Sequence, residues 1–291
     1  MSRYTLENDQ IRIGVESFGA ELKSLQDKMT GKEYMWSADP AFWKRTSPIL
    51  FPLVGSLQGK AYRYQDKEYP MSQHGFARDR EFNLVKKDAA EIWFELIEDE
   101  KSWEIYPFAF ALRIGYVLKG RSVEVHWQVE NTDLHTLYFS IGGHPAFLCP
   151  IEEGTVQTDY AIRLDAQDEI TSTMIGRDGL ASDRKKKYSL DHGILPVTEQ
   201  LFDEDALIVE HDQAHEVALL DPQKRPYLTV RFEAPLFGIW SPPKKNAPFI
   251  CIEPWYGRCD GENFHGTLEE REWGNRLEPG ELFRAKYEIE I

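Results

Sequence analysis

The chain has 291 residues, of which 42% are hydrophobic and 13% aromatic, enough for a large buried core and too apolar for a disordered chain. A formal net charge of −15 argues against nucleic acid and anionic membrane surfaces as partners, because both need a basic face. Cys149, Cys251 and Cys259 are odd in number and form no C-x-x-C pair, against a disulfide framework or a structural zinc site. The segment from Met1 to Asn8 lacks the apolar core of a signal peptide, and no apolar run approaches the ~20 residues that span a bilayer. The expected setting is the reduced cytoplasm.

Period-two alternation dominates the chain, as strands with one buried face require. It begins at Ile11, Ile13 and Val15. Asp39-Pro40-Ala41-Phe42-Trp43-Lys44 predicts one helical turn, since Asp suits an N-cap and Pro the first helical position. Phe108, Phe110, Leu112, Ile114, Tyr116 and Leu118 keep the alternation, turn at Lys119-Gly120-Arg121, and return through Val123, Val125, Trp127 and Val129 as a long hairpin. The basic run Arg184-Lys185-Lys186-Lys187 reads as a solvated loop, and Pro242-Pro243-Lys244-Lys245-Asn246 as a stiff turn. Leu228, Val230 and Phe232 alternate again; Leu268 to Trp273 predicts a second helical turn stopped by Gly274; Phe283 to Ile291 closes the chain as a strand. Nothing reads as a linker or a repeat. The expectation is all-β: one large antiparallel two-sheet sandwich over residues 1–291, with few short helices.

Three segments carry candidate chemistry. His74 lies in Ser72-Gln73-His74-Gly75-Phe76-Ala77-Arg78, where Gly75 permits a sharp turn. His144 follows Gly142-Gly143 and precedes Pro145, which restricts the residue before it and so directs the ring. Glu253 follows Phe249-Ile250-Cys251-Ile252, and burial there raises a carboxylate pKa and makes it a stronger base. Two imidazoles and a carboxylate move protons near neutral pH without a metal or cofactor. The bland alternatives are a surface-turn histidine, an ordinary strand-end turn and a solvent-facing glutamate. Arg45 and Arg78 are candidates for paired hydrogen bonds to vicinal hydroxyls or a phosphate, Asp205 for accepting sugar hydroxyls, and Phe147, Trp240 and Trp255 for stacking on a pyranose. His211 and His215 are four apart without the glutamate or helix pattern of a zinc motif.

Taken together, these segments resemble the aldose 1-epimerase (galactose mutarotase) superfamily, particularly its LacX-like bacterial branch, over nearly the whole length. The resemblance implies a β-supersandwich with an open sugar cleft and no cofactor or metal. His74 and His144 stand for the family's histidines, Glu253 for its glutamate and, on spacing, Asp205 for its substrate-holding aspartate. The upstream stretch Arg45-Thr46-Ser47-Pro48 and the sequence His74-Gly75-Phe76-Ala77-Arg78 depart from galactose mutarotases toward hexose-6-phosphate mutarotases. The implied activity is interconversion of hexose or hexose phosphate anomers by acid/base ring opening, in a monomer or homodimer. Glu253 takes the anomeric proton, His144 protonates the ring oxygen, and His74 stabilises developing charge. Two other classes stay open at this point: a non-catalytic carbohydrate-binding protein on the same fold, and a metal-dependent β-sandwich or cupin-like enzyme.

Overall fold

The hairpin expected from residues 108 to 129 organises the computed structural model, which describes residues 2–291. Phe110–Lys119 and Ser122–Asn131 pair from Ser122 opposite Lys119 to Asn131 opposite Phe110, and Gly120 makes the turn at φ 58°. They are central strands of a nine-stranded antiparallel sheet. Its order is Ile194–Pro196, Ala161–Leu164, Glu216–Leu220, Pro226–Phe232, Leu282–Glu290, Ser122–Asn131, Phe110–Lys119, Glu91–Ile97 and Asn83–Lys87. The carboxyl-terminal strand is therefore central, held between Ser122–Asn131 and Pro226–Phe232.

A second antiparallel sheet faces it, in the order Ala181–Ser189, Glu169–Ile175, Leu207–Glu210, Leu236–Trp240, Phe249–Tyr256, Ile141–Gly143 and Ile49–Leu50. Ala146–Leu148 also pairs with Phe249–Tyr256. Alternate residues of both sheets meet in the main core, which draws Trp127, Val230 and Tyr287 from one and Val209, Ile239, Ile250 and Ile252 from the other. A three-stranded sheet, Arg3–Glu7, Ile11–Glu16 and Glu21–Asp27, adds Ile11, Ile13 and Val15 to the same core. This is the antiparallel all-β sandwich expected.

Two local expectations change, and one element is new. Arg184, Lys185, Lys186 and Lys187 lie in the edge strand Ala181–Ser189, not in a loop. All four side chains are exposed, so no apolar alternation marks the strand, and Lys185, Lys186 and Lys187 pair with Glu210, Glu204 and Glu169. Leu268 to Trp273 contributes only the 3-10 turn Leu268–Glu270. The one α-helix among the described residues, Glu100–Ile105, was not expected; Asp99 caps it by accepting from the Ser102 amide while the Ser102 hydroxyl donates to the Asp99 carbonyl. Residues 39–43 do turn as expected, with the Phe42 and Trp43 amides donating to the Asp39 carbonyl. No helix among the described residues is long and apolar enough to cross a membrane.

The turn at 72–77 is seated on the segment 51–55. The amides of Phe76 and Ala77 both donate to the Phe51 carbonyl, and the His74 amide donates to the Gly55 carbonyl. Gly75 has φ 71°, and a Cβ there would lie 2.2 Å from the Phe51 oxygen. Gly31 has a similar φ of 72° with no atom within 4 Å of that position. Gly31→Ala is therefore expected to cost only the left-handed backbone term, about 1–2 kcal/mol, and Gly75→Ala distinctly more. Denaturant melts of both variants check this; equal losses would mean the close approach carries no penalty.

Candidate active site

The site rests on one register. Ile141 pairs with Tyr256 and Gly142 with Trp255, then Ala146 pairs with Cys251 and Phe147 with Ile250. His144 falls in the break between these short strands, so the shared register sets it opposite Glu253. Pro145 explains the break, since it has no amide to donate. The His144 amide donates instead to the Pro48 carbonyl, and that of Ala146 to Thr46. The segment receiving them is anchored by the Glu21 carboxylate, which accepts from the amides of Thr46 and Ser47 at 2.7 and 2.8 Å.

Along Phe249–Tyr256 the side chains alternate. Ile250 and Ile252 enter the main core, while Cys251, Glu253 and Trp255 share the opposite face. The Trp255 indole lies flat because two neighbours lack side chains: a Cβ on Gly142 or on Gly238 would sit 2.5 Å from its ring atoms. Two-residue repetition thus puts a carboxylate between a thiol and an indole.

His144 Nε2 lies 3.3 Å from Glu253 Oε2, with the two residues 7% and 2% exposed. Trp43 stacks on the imidazole at 4.7 Å between ring centroids, and Trp240 meets it edge-on at 5.5 Å. The His74 ring stands nearly perpendicular to it at 5.6 Å. His74 itself has φ 66°, and its Nδ1 accepts the Gly55 amide at 3.1 Å. A neutral ring held this way carries its proton on Nε2.

Gly55 is braced from behind. A Cβ there would meet Cys259 at 2.5 Å. Cys259 precedes Asp260, whose carboxylate accepts from Arg271 Nε at 2.7 Å and from the Gln58 amide at 3.0 Å. The Asp260 amide donates to the Ser56 carbonyl. This buried ion pair therefore fixes the backbone that orients His74.

His74, His144 and Glu253, with Trp43, Trp240 and Trp255, line a cavity of about 310 Å³ together with Gln73, Arg78, Asp205 and Ile208. Burial pushes the Glu253 carboxyl well above the usual carboxylate range, with the Asp205 charge adding to it. Burial lowers His144 to about 3, helped by the nearby Arg78 and Arg45 cations. His74 is held well below the ordinary histidine value by burial, then by His144, Arg78 and Arg45. Burial thus acts on both partners in the same sense, disfavouring the imidazolium and the carboxylate and favouring the neutral form of each. Arg78 is lowered to about 10, by burial first and Arg45 second, and stays cationic at neutral pH.

Of the residues singled out in the sequence, His74, His144, Glu253, Arg78, Asp205, Trp240 and Trp255 converge on the cavity. Arg45 and Phe147 do not line it. Arg45 Nη2 is bound to both oxygens of Asp79, at 2.9 and 3.2 Å, so its reach is spent on a carboxylate. Phe147 is fully buried in the main core, because it falls on the Ile250 face of the pairing and not on the Glu253 face. The sequence reading missed Trp43 and Gln73. Trp43 belongs to the Asp39-Pro40 turn, whose aromatic content was the available signal; Gln73 adjoins His74. It also passed over Cys251: ligand atoms of His144, Cys251 and Glu253 lie within 4.8 Å of one another, all buried.

The profile of the Aldose 1-epimerase family matches residues 2–290. The plasmid and chromosomal forms of Protein LacX from Lactococcus lactis subsp. lactis are 30% and 31% identical over 298 residues, spanning 98% of this chain and of each relative. A galactose mutarotase related enzyme from Lactobacillus acidophilus superposes with a TM-score of 0.93 at 32% identity, covering 99% of this chain and 97% of that one. A galactose mutarotase-like protein from Lactobacillus casei gives 0.90 at 30% identity, covering 99% of both. A putative aldose 1-epimerase from Escherichia coli K12, at 16% identity and 0.73, shares the fold. The chain belongs to the aldose 1-epimerase family.

Proposed function

We propose that the protein is a mutarotase that interconverts the α and β anomers of a hexose, with a phosphorylated hexose as the preferred substrate. The enzyme class, a carbohydrate epimerase, follows from family membership. The observation that carries the finer reading is the His144–Glu253 contact of 3.3 Å inside a buried, tryptophan-walled cavity.

Ring opening removes a proton from the anomeric hydroxyl and adds one to the ring oxygen. Both oxygens are bonded to the same carbon, so the base and the acid that serve them must be adjacent. Glu253 and His144 meet that demand. The reactive form of the pair is the one with the proton on His144 and Glu253 as carboxylate, which burial disfavours relative to the neutral pair. Glu253 then takes the anomeric proton and His144 releases its own to the ring oxygen. The outcome is a carboxylic acid beside a neutral imidazole, the state that burial favours, so the open-chain aldehyde forms without a buried charge left over. Rotation about the first carbon–carbon bond and the reverse transfers close the other anomer. No proton enters or leaves the pair over the cycle.

His74 donates from Nε2 to the ring oxygen or a neighbouring hydroxyl and stabilises charge as it develops. Trp240 and Trp255 offer apolar faces to the pyranose, and Asp205 accepts from its hydroxyls. Arg78 is the cation that lines the cavity and so the one available to a phosphate: Nη2 donates to the Gln73 carbonyl at 2.5 Å, and Nε lies 3.8 Å from Asp79 Oδ2 without a hydrogen bond.

Glu253→Gln and His144→Asn are each expected to slow anomer exchange at least ~100-fold with the fold retained, read by polarimetry on freshly dissolved hexose. A wild-type rate equal to buffer across free and phosphorylated hexoses would leave a carbohydrate-binding protein. Glucose 6-phosphate should be turned over with a kcat/KM at least ~10-fold above that of glucose, the size of one charge-assisted contact, and Arg78→Ala should erase the difference. Equal values in the wild type would remove the phosphate from the proposal. Long-range proton–nitrogen spectra at pH 7 should report His74 as the neutral, Nε2-protonated tautomer; a proton on Nδ1 would contradict its role as donor to the sugar.

A further inference from the structure

We propose that His144, Cys251 and Glu253 form an inhibitory binding site for a thiophilic divalent cation of the zinc class. One ligand atom of each lies within 4.8 Å of the other two, and the three residues are 7%, 0% and 2% exposed. The sheet builds this cluster. Cys251 and Glu253 are alternate residues on one face of Phe249–Tyr256, and the register that places His144 opposite Glu253 places Ala146 opposite Cys251.

The donor set suits zinc, cobalt or cadmium. Thiolate and imidazole select soft and borderline cations over magnesium and calcium, and three protein ligands with an open fourth position are an ordinary tetrahedral arrangement. His144 and Glu253 both line the cavity, so a water or a sugar hydroxyl there is the available fourth ligand. Charge also balances. The metal takes the ligands as thiolate and carboxylate, any protons they carry passing to solvent, and the two anions together neutralise a divalent cation. The buried cluster stays neutral, as a low-dielectric setting requires. No oxidation or reduction is involved.

Metal binding stands on the cluster alone, whereas the inhibition rests on the proposed epimerase reading, because the cation occupies the two groups that exchange protons with the sugar. Cys251 takes no part in that exchange, so its replacement separates the two.

The test is a titration of the purified full-length chain with cobalt(II), followed by absorbance. One equivalent per chain is expected to give the visible bands of tetrahedral cobalt and a near-ultraviolet thiolate-to-cobalt band. Zinc should displace the cobalt and magnesium should not. Cys251→Ser should abolish the thiolate band and weaken zinc binding at least ~100-fold, since even outer-shell partners of a metal are worth 10–100-fold. Cys251→Ala serves the same purpose if the serine variant folds poorly. In polarimetry, zinc should slow the wild type, and the variants should need at least ~100-fold more zinc for the same effect. Absence of the thiolate band in folded wild type, or its persistence in the Cys251 variants, overturns the site whether or not the protein is an epimerase. A cobalt site that forms while zinc leaves anomer exchange unchanged overturns the inhibition.

Discussion

The antiparallel register between Phe249–Tyr256 and the interrupted strand around His144 is the constraint on which the rest depends. A slip of one residue would turn Cys251, Glu253 and Trp255 into the core and bring Ile250 and Ile252 into the cavity. The apolar face locks the register, because Ile250 and Ile252 pack against the opposite sheet. The Glu253 carboxylate is thus placed by hydrophobic burial on the other side of the same strand. Pro145 gives the break that frees His144 from the ladder without shifting the pairing on either side.

Burial then decides what the positioned groups are. An ordinary glutamate is ionised at neutral pH and an ordinary histidine is partly so. In this cavity the carboxyl is raised and the imidazole lowered, both chiefly by loss of solvent. Loss of solvent therefore works against an ion pair across the 3.3 Å contact of His144 and Glu253. Trp43 and Trp240 contribute to this by covering the imidazole, which excludes water and holds the ring plane.

His74 depends on a longer chain of contacts. Its tautomer comes from the Gly55 amide, Gly55 is pressed by Cys259, and Cys259 is held by the Asp260–Arg271 pair. Breaking a buried ion pair by removing one partner costs about 3–5 kcal/mol, so this backing is rigid compared with a surface loop. Only glycine fits at 55 and 75, for the same reason: another backbone or side chain occupies the space of a Cβ. The turn carrying His74 is therefore over-determined from both ends.

Much of this was legible beforehand. Alternation over Phe108–Val129 and Phe283–Ile291 specified strands and an antiparallel class, because side-chain period is a local property. Gly75, Pro145 and the apolar run before Glu253 marked the three residues that converge on the cavity, because restricted backbone and a misplaced charge are also local. The lysine-rich edge strand was not legible, since a strand exposed on both faces shows no alternation. Nor were Arg45's capture by Asp79 and the burial of Phe147, which depend on partners 34 residues away or on the face a pairing presents. The sequence by itself determined the class of fold and the types of chemical group. Only the tertiary structure decided which of those groups share a cavity, which of them lose water, and that Cys251 joins His144 and Glu253, because register and desolvation arise from contacts distant along the chain.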